Sequence, residues 1–290
     1  ILLILFINFL EYRMSKAKKF LEHNLFKDGL KYFGHKDKNL SIEIANIWHD
    51  DKEYYQRWQE AEKFGDHTGK ILDMSCGVGT FAFHGLRKGY DVYGIEPENW
   101  KLEYIKLKIK EQNLPKIWEQ RFIKGIGENL PFKDDTFDYI ITYQTLEHVQ
   151  NLEKCIDEMI RVLKNGGKLK IHAPDYDSFY EPHYHLIFFP KMNKKLASIY
   201  LKILRRPTIG LNTLNWTTSK SILKILSKYE NIEIINLSEL YRNRKIDFVK
   251  SKYHLPKLIS NILVNLIYYK KVYLAQEEKH INIVVKKGNN

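Results

Sequence analysis

A glycine loop between two acidic residues is the part of this sequence whose residue types could hold a cofactor. The stretch KILDMSCGVGTF at residues 70–81 places Asp73 before Gly77 and Gly79, and Glu96 follows 17 residues after Gly79. Glycines allow a tight turn in which the backbone approaches a ligand closely. A carboxylate at the end of the following strand can accept hydrogen bonds from ribose hydroxyls. The spacing therefore predicts a site for a cofactor that contains a nucleoside.

Two kinds of cofactor fit these glycines, and Asp73 distinguishes between them. Gly77, Gly79 and Ala82 match the dinucleotide fingerprint G-x-G-x-x-A, which would make the chain an NAD-dependent oxidoreductase. A pyrophosphate is negatively charged, however, and an acidic side chain facing it would repel it. S-adenosylmethionine has no phosphate, and its sulfonium and ammonium cations attract a carboxylate. Asp73 therefore favours S-adenosylmethionine over NAD.

The segments around this loop alternate between β-rich and helical patterns. The helical patterns include 41–63, 80–88, 98–112 and 150–163, the last ending at a pair of glycines expected to cap it. The β-rich runs occupy 70–74, 91–97, 121–127, 137–144 and 167–174. This alternation predicts an α/β fold with a Rossmann-like, doubly wound and mostly parallel sheet. The loops after each strand would then meet at one edge, where ligands bind.

The alternation breaks after Pro174. We expect residues 175–215 to form a helical cap inserted into the domain, with a basic amphipathic helix at 191–206. Regular structure is predicted to return as a helix at 218–229, a strand at 231–240, a C-terminal helix at about 256–275 and an antiparallel last strand at 280–287. The whole of 41–290 is interpreted as one domain.

Residues 1–40 are interpreted as an N-terminal extension. The apolar run ILLILFINFL has ten residues, whereas a membrane-spanning helix needs about 20, and no basic residues precede it as in a signal peptide. Because Met14 opens an ordinary soluble start, residues 1–13 are interpreted as upstream sequence, with a short membrane anchor as the alternative. The chain has only two cysteines, far apart in sequence, which predicts a cytoplasmic protein without disulfides.

Positive charge is concentrated in the last third of the chain. Residues 186–290 contain 20 Lys and Arg but 6 Asp and Glu, whereas residues 1–185 contain 27 and 29. One interpretation is a solvated, lysine-rich surface. The other is attraction to an anionic acceptor or to a membrane surface, with the basic amphipathic helices making peripheral membrane contact. No nucleic-acid partner is expected, because the basic residues are not part of a recognisable binding module.

Five motifs follow one another between residues 67 and 175: LDMSCGVGT, GIEP, GIGENLPF, DDTFDYIITYQTLEHV and LKNGGKLKI. In this order and spacing the sequence resembles the class I S-adenosylmethionine-dependent methyltransferases, most closely the branch acting on small molecules and lipids (methyltransferase type 11). The resemblance implies an enzyme that uses S-adenosylmethionine as its cofactor.

The resemblance also implies roles for residues of these motifs. Asp73 and the backbone of the glycine loop would hold the methionine end of the cofactor, Glu96 the ribose, and Tyr143 would close the site. Pro97, Gly127 and Glu128 would lie beside the adenine. The complete implied cofactor set is Asp73, Ser75, Cys76, Gly77, Gly79, Glu96, Pro97, Gly127, Glu128 and Tyr143.

Two positions depart from the family pattern. Ser75 stands where glycine is usual, so the turn must tolerate a side chain. Ile126 stands where the family usually has an aspartate that bonds the adenine amino group, so we expect weaker cofactor affinity or substitution by Glu128.

Candidates for contact with the acceptor lie after the fourth and fifth strands. A general base assists methyl transfer if the acceptor is a hydroxyl, and His148 and Asp175 are the candidates, the alternative for His148 being a packing role. Tyr176 is a further choice. The segment from Glu181 to His185 contains two histidines that an extended chain would point to one face. No further ligand pair stands at a recognisable spacing, so no metal is predicted.

The sequence as a whole predicts a methyltransferase that acts on a small-molecule or lipid-linked acceptor and methylates it on oxygen. An anionic acceptor is one of the two interpretations of the basic last third of the chain. The alternatives are an NAD-dependent oxidoreductase, a catalytically silent methyltransferase-like binding protein, and a peripheral membrane protein.

Overall fold

The computed structural model describes residues 15–51, 55–64, 69–273 and 279–289. The apolar run at residues 1–13, interpreted above as upstream sequence, lies outside these ranges.

A seven-stranded sheet forms the centre of the molecule. Its strands are β1 (Lys70–Met74), β2 (Asp91–Glu96), β3 (Phe122–Lys124), β4 (Phe137–Tyr143), β5 (Leu163–Pro174), β8 (Ile232–Asn236) and β9 (His280–Lys287). They are arranged in the order β3-β2-β1-β4-β5-β9-β8. The first five strands are mutually parallel, and β9 is antiparallel to both β5 and β8. This confirms the predicted Rossmann-like sheet with an antiparallel last strand.

Helices surround this sheet and connect its strands. They are α1 (Lys16–Asp28), α2 (Lys38–His49), α3 (Tyr55–Phe64), α4 (Thr80–Arg87), α5 (Asn99–Glu111), α6 (Leu152–Val162), α7 (Lys194–Ile203), α8 (Ser219–Leu226), α9 (Leu237–Tyr253) and α10 (Lys257–Tyr273). Within the described residues, no helix combines the length and the hydrophobicity needed to cross a membrane.

The sheet is buried by helices on both faces, which explains the nearly continuous apolar runs of its central strands. On one face, Leu72 of β1 and Ile140 of β4 pack with Ile156 and Met159 of α6. On the other, Ile71 packs in a cluster with Trp58 of α3 and residues of α4. The carboxyl ends of β1, β2, β4 and β5 consequently meet at one edge, and the loops that follow them are held in place by a packed core.

The cap at 175–215 is built around its own small cluster. It contains a two-stranded hairpin of β6 (Tyr180–Glu181) and β7 (Leu186–Ile187), the helix α7, and a 3₁₀ turn at Ile209–Thr213. Its buried residues are Tyr184, Phe188, Ala197, Leu201, Leu211 and Leu214. Helix α7 is shorter than the predicted 191–206.

Several other predicted boundaries are also wrong, and the structure shows the reason for three of them. The helix expected at 41–63 is divided, because α2 ends at His49 and Asp51 has a left-handed φ of 57°. The glycines after α6 do not cap it, since the helix ends at Val162 and the chain enters β5 directly, with Gly166 inside that strand. The strand expected at 231–240 ends at Asn236.

The strand ends there because Asn236 begins a helix that was not predicted. Its side chain accepts a hydrogen bond from the Glu239 amide and so caps α9. An N-cap of this kind stabilises a helix start against continuation of the strand. Helix α9 has a polar composition without a strong apolar stripe, which explains why periodicity did not indicate it.

A buried ion pair ties α2 to α5. The Lys108 ammonium is fully buried and donates hydrogen bonds to the Asp51 carboxylate (2.7 Å) and to the His49 carbonyl (2.8 Å). Arg87 of α4 also contacts Asp51. Burial lowers the pKa of Lys108, and the nearby Asp51 opposes this. Asp51 is thus the main group that favours the charged form of Lys108, and Asp50 adds to its effect.

We expect Asp51→Ala to lower the free energy of unfolding by about 3 kcal/mol, because it leaves a buried ammonium without its counter-charge. The matched control is Glu62→Ala, which removes the partner of Lys88 from a pair that is more than one-third exposed and should cost less than about 0.5 kcal/mol. Urea denaturation of both variants measures the difference. Equal stabilities would show that the Lys108 contact contributes nothing.

Candidate functional site

The loop between β1 and α4 is a compact turn made by three left-handed residues. Ser75, Gly77 and Gly79 have φ values of 61°, 59° and 78°. The Cys76 amide donates to the carbonyl of Ile95 on β2 (2.9 Å) and the Gly79 amide to the carbonyl of Cys76 (2.9 Å). Left-handed backbone is costly for a residue with a side chain. Ser75, the first departure from the family pattern, adopts it nonetheless.

The two glycines of this loop are required for different reasons. A Cβ at Gly79 would lie 2.8 Å from the Phe122 ring, so a larger residue would have to displace that ring. A Cβ at Gly77 would meet no atom within 4 Å. Gly77 thus combines a left-handed backbone with an open face, the arrangement expected where a backbone approaches a ligand.

Glu96 is buried at the end of β2 and faces this loop. One carboxylate oxygen accepts from the Gly77 amide (2.9 Å) and the other from the Glu98 amide (3.0 Å), with the Lys101 ammonium at 3.3 Å. Burial raises the pKa of Glu96, and Lys101 opposes this. A carboxylate can accept about four hydrogen bonds. The two amides and Lys101 use three of them, so Glu96 retains capacity for one ribose hydroxyl.

Asp73 lies at the end of β1 and is 6% exposed. The pKa of Asp73 is raised to about 7, mainly by burial. The charge of Arg57 partly offsets this increase, and the charge of Glu96 adds to it. A cation that enters beside Asp73 would favour its ionised form. The two acids and the glycine turn therefore fit S-adenosylmethionine, whose cations and ribose match them, better than a pyrophosphate.

Arg57 is a site residue that the sequence analysis did not identify. It lies on α3, with its guanidinium carbon 3.2 Å from the centre of the Tyr143 ring and its charge acting on Asp73. Tyr143 in turn stacks on His172 of β5, with ring centres 4.2 Å apart. No motif surrounds Arg57 in the sequence, so only the fold reveals its position.

The residues predicted to flank the adenine follow β2 and β3. Pro97 is exposed, and Ile126, the second departure from the family pattern, is 50% exposed. A Cβ at Gly127 would lie 2.6 Å from the Cys155 sulfur, so glycine permits this loop to approach α6. Glu128 is buried, and one of its oxygens accepts from the amides of Gln150 (2.6 Å) and Asn151 (3.2 Å). Glu128 thereby anchors the loop to the start of α6.

The two candidates for a catalytic role have different surroundings. Asp175 is 3% exposed and accepts hydrogen bonds from the Ser219 hydroxyl (2.9 Å) and the Asp177 amide (3.0 Å), with the Lys279 ammonium at 3.3 Å. It connects the end of β5 to the start of α8. The side chain of His148 is 39% exposed and lies at the carboxyl end of the sheet.

His148 meets a histidine of the cap. Its Nε2 lies 3.2 Å from Nε2 of His183, and its Nδ1–H donates to the Thr213 carbonyl (2.9 Å). His183 belongs to the turn between β6 and β7, where His185 has a φ of 53° and contacts His35 instead. The expectation that His183 and His185 lie in an extended segment and face one side is therefore wrong.

A cavity of about 490 Å³ opens at the same edge of the sheet, between the ends of β5 and β9 and helices α9 and α10. His172 lines it beside Asp175. Burial lowers the pKa of His172 to about 3, so its ring is neutral. The cationic residues of the lining are Lys220, Arg242, Lys245, Lys271 and Lys279. They outnumber the acids Asp175, Asp177 and Glu239, so the cavity is basic.

The sequence and the fold are both similar to those of known proteins. Residues 72–171 match the family model described as a methyltransferase domain. The chain is 32% identical over 197 residues to an uncharacterised protein of Methanocaldococcus jannaschii, covering 64% of this chain and 85% of that one. It is 26% identical over 195 residues to demethylmenaquinone methyltransferase of a Geobacillus species, covering 64% and 79%.

The fold resembles that of Haemonchus contortus phosphoethanolamine N-methyltransferase 2 in complex with S-adenosylmethionine. The TM-score is 0.52 at 16% identity, over 91% of this chain and 60% of that structure's chain. The domain match and the methyltransferase relatives confirm the predicted enzyme class and its cofactor, S-adenosylmethionine, and the structural similarity confirms the fold. The chain belongs to the class I S-adenosylmethionine-dependent methyltransferases.

Proposed function

We propose that this methyltransferase transfers its methyl group to an oxygen of an anionic, lipid-linked small molecule. The observation that supports this most strongly is the basic cavity beside α10, because it offers cations to a charged head group and an apolar helix to a lipid tail. A relative whose name specifies demethylmenaquinone agrees with a small, apolar acceptor.

Side-chain contacts connect the cofactor loop to this cavity. The charge of Arg57 acts on Asp73, its guanidinium lies on Tyr143, and Tyr143 stacks on His172, which lines the cavity. An acceptor in the cavity would therefore approach the cofactor from the side of β5. Methyl transfer is an in-line displacement at a carbon activated by the sulfonium, so the main requirement is alignment of acceptor and cofactor.

The amino-acid end of the cofactor carries an ammonium and a carboxylate. We place the ammonium beside Asp73 and the carboxylate beside Arg57, because these opposite charges lie within the same group of side chains. Glu96 takes the ribose hydroxyls. The rest of the proposed cofactor set is as predicted from the motifs: Ser75, Cys76, Gly77, Gly79, Pro97, Gly127, Glu128 and Tyr143.

Asp175 belongs to the cavity lining and His148 does not, so contact with His148 requires an acceptor that extends beyond the cavity. We nonetheless prefer His148 for contact with the acceptor oxygen. Asp175 is committed to Ser219, Asp177 and Lys279, whereas the ring of His148 is more than one-third exposed. Packing against the cap and the neighbouring His183 lower the pKa of His148. The neutral ring can accept a hydrogen bond from an acceptor hydroxyl, but the lowered pKa makes it a weak general base.

Helix α10 supports peripheral attachment of the protein to a membrane from the cytoplasm. Leu258, Ile262 and Leu266 repeat every four residues and are 70%, 49% and 62% exposed, so they form one apolar row on the helix. Ile267 of the same helix lines the cavity. A membrane against this row would place lipid head groups near the basic residues of the cavity.

Glu96→Ala should weaken binding of S-adenosylhomocysteine by at least about tenfold, because the ribose loses a hydrogen-bond acceptor and the Gly77 amide loses its partner. The matched control is Glu98→Ala, an exposed carboxylate two residues away, with an expected change below about threefold. Isothermal titration calorimetry measures both. Native affinity in Glu96→Ala would contradict the proposed ribose site.

Binding of S-adenosylmethionine should strengthen by about tenfold as the pH rises from 5.5 to 7.0. The pKa of Asp73 in the free protein is raised to about 7, so at low pH a proton must leave before the carboxylate can pair with the cofactor's cations. The ligand's α-ammonium stays protonated over most of this range. Asp73→Asn should bind more weakly and show a flat pH profile. A flat profile in the native protein would refute the role of Asp73.

Sedimentation with vesicles tests the lipid-linked acceptor. We expect the protein to bind phosphatidylglycerol vesicles and to bind phosphatidylcholine vesicles at least about tenfold more weakly, since each basic residue near an anionic surface contributes about 1 kcal/mol. Leu266→Asp and Arg242→Glu should each lower binding by about tenfold. Lys250→Glu is the control, because this exposed residue of α9 lies outside the cavity lining. Equal loss in Lys250→Glu would indicate a diffuse charge effect, and no vesicle binding would contradict the lipid-linked acceptor.

A further inference from the structure

Three potential metal ligands converge between the loop after β4 and the cap. Glu147, His148 and His183 each offer one ligand atom, and these atoms all lie within 4.8 Å of one another. Glu147 is buried, His183 is partly buried and His148 is exposed. The histidines are 35 residues apart in sequence, so their approach results from the docking of the cap onto the sheet edge.

The hydrogen bonds of both histidines fix their tautomers. Nδ1 of His148 faces the Thr213 carbonyl, and Nδ1 of His183 faces the Glu181 carboxylate at 2.8 Å. Both partners are acceptors, so both Nδ1 atoms must bear the hydrogen. The lone pair of each neutral ring is then on Nε2, and the two Nε2 atoms point at each other across 3.2 Å. Two lone pairs at this distance require a cation or a shared proton between them.

The separation of the nitrogens matches a metal site. With Zn–N bonds of about 2.0–2.1 Å and tetrahedral angles, two ligand nitrogens lie about 3.3 Å apart. The observed separation of 3.2 Å therefore needs almost no rearrangement. The nearer oxygen of Glu147 is 4.0 Å from Nε2 of His148, and all three ligand atoms lie within 4.8 Å of one another. A shift of at most about 1.5 Å would therefore bring Glu147 to the tetrahedral spacing from both nitrogens.

The surroundings of His183 have the form of a supported metal ligand. Glu181 is 1% exposed, accepts from Nδ1 of His183, and is itself held by the Tyr184 amide (2.6 Å) and the Tyr176 hydroxyl (3.1 Å). A carboxylate or carbonyl behind the imidazole is the usual device that orients a ligating histidine. His148 receives the same support from the Thr213 carbonyl.

We propose that Glu147, His148 and His183 bind one divalent transition-metal ion of the Zn²⁺ type. Two imidazoles and a carboxylate are a donor set that suits zinc, and three protein ligands leave a fourth position for an oxygen. The exposure of His148 places that position on the open side of the site. The ammonium of Lys101 acts electrostatically on His148 and would oppose a second cation, but its charge is balanced by Glu96 at 3.3 Å.

The position of this metal relative to the cofactor suggests its use. Lys101 contacts Glu96 of the cofactor site and acts electrostatically on His148, so the two sites are adjacent. Granting the proposed methylation on oxygen, the metal would hold the acceptor's hydroxyl oxygen at the fourth position. A bound cation lowers the pKa of a coordinated hydroxyl, and His148 would then act as a ligand rather than as a base.

The test is titration of the full chain, freed of metal by a chelator, with Co²⁺ and then Zn²⁺. We expect one Co²⁺ per chain with the visible absorption of a four- or five-coordinate ion, and displacement of that absorption by one Zn²⁺. His148→Ala and His183→Ala should each weaken Co²⁺ binding by at least about tenfold and Glu147→Gln by about tenfold. His185→Ala is the matched control, because this neighbouring histidine contacts His35 instead, and its affinity should change by less than about threefold.

Binding of S-adenosylhomocysteine, measured on every variant, separates this proposal from the cofactor site. If a ligand variant loses Co²⁺ binding but keeps its affinity for S-adenosylhomocysteine, the result supports the metal site, whatever acceptor the enzyme uses. The proposal is overturned if the native chain takes up no Co²⁺, which is the result expected if the two histidines share a proton instead of a metal ion. It is also overturned if both histidine variants keep the Co²⁺ absorption of the native chain. Should the histidine variants fail to fold, Glu147→Gln and the stoichiometry of the native chain decide the question.

Discussion

The hydrogen bond from the Gly77 amide to the Glu96 carboxylate is the interaction on which the site depends. It joins the loop after β1 to the end of β2, and Glu96 can reach it only because β1 and β2 are parallel neighbours whose carboxyl ends coincide. The bond keeps a charged group ordered in a nearly buried position, facing a glycine whose outer side is open. The proposed site for the cation and the ribose of the cofactor thus consists of two acids that the sheet brings to one edge.

The parallel strands and the loops of the cofactor site could be predicted from the sequence, because the sequence patterns that indicate them are local. The apolar runs of β1 and β4, the glycine loop and the acid after β2 are short patterns whose meaning does not depend on distant residues. The antiparallel last strand also followed from an alternating run at the end of the chain. Ser75 was correctly identified as the position where the turn must tolerate a side chain, and it adopts a left-handed backbone.

What could not be predicted arises from contacts between segments that are far apart in sequence. Arg57 reaches Tyr143 across more than 80 residues, and His148 meets His183 only when the cap docks. The spacing of His183 and His185 predicted that both rings face one side, but the two residues lie in a turn and their rings contact different neighbours. Helix α9 was missed for another reason: its start depends on the single cap at Asn236 rather than on any periodic pattern.

The segment before α2 makes contacts that restrict how the cap can move. The Arg206 guanidinium donates to the Gly34 carbonyl, the His35 ring contacts the His183 carbonyl at 2.7 Å, and Phe33 packs edge-on against Tyr184. Helix α1, just before these residues, is bound to α5 through the Ala17 amide and Glu111. Residues 29–37 therefore contact the cap and are connected through α1 to helix α5, which packs on the sheet. If the cap moved away from the sheet edge on its own, these contacts would have to break, so opening of the cap would involve residues 29–37 as well.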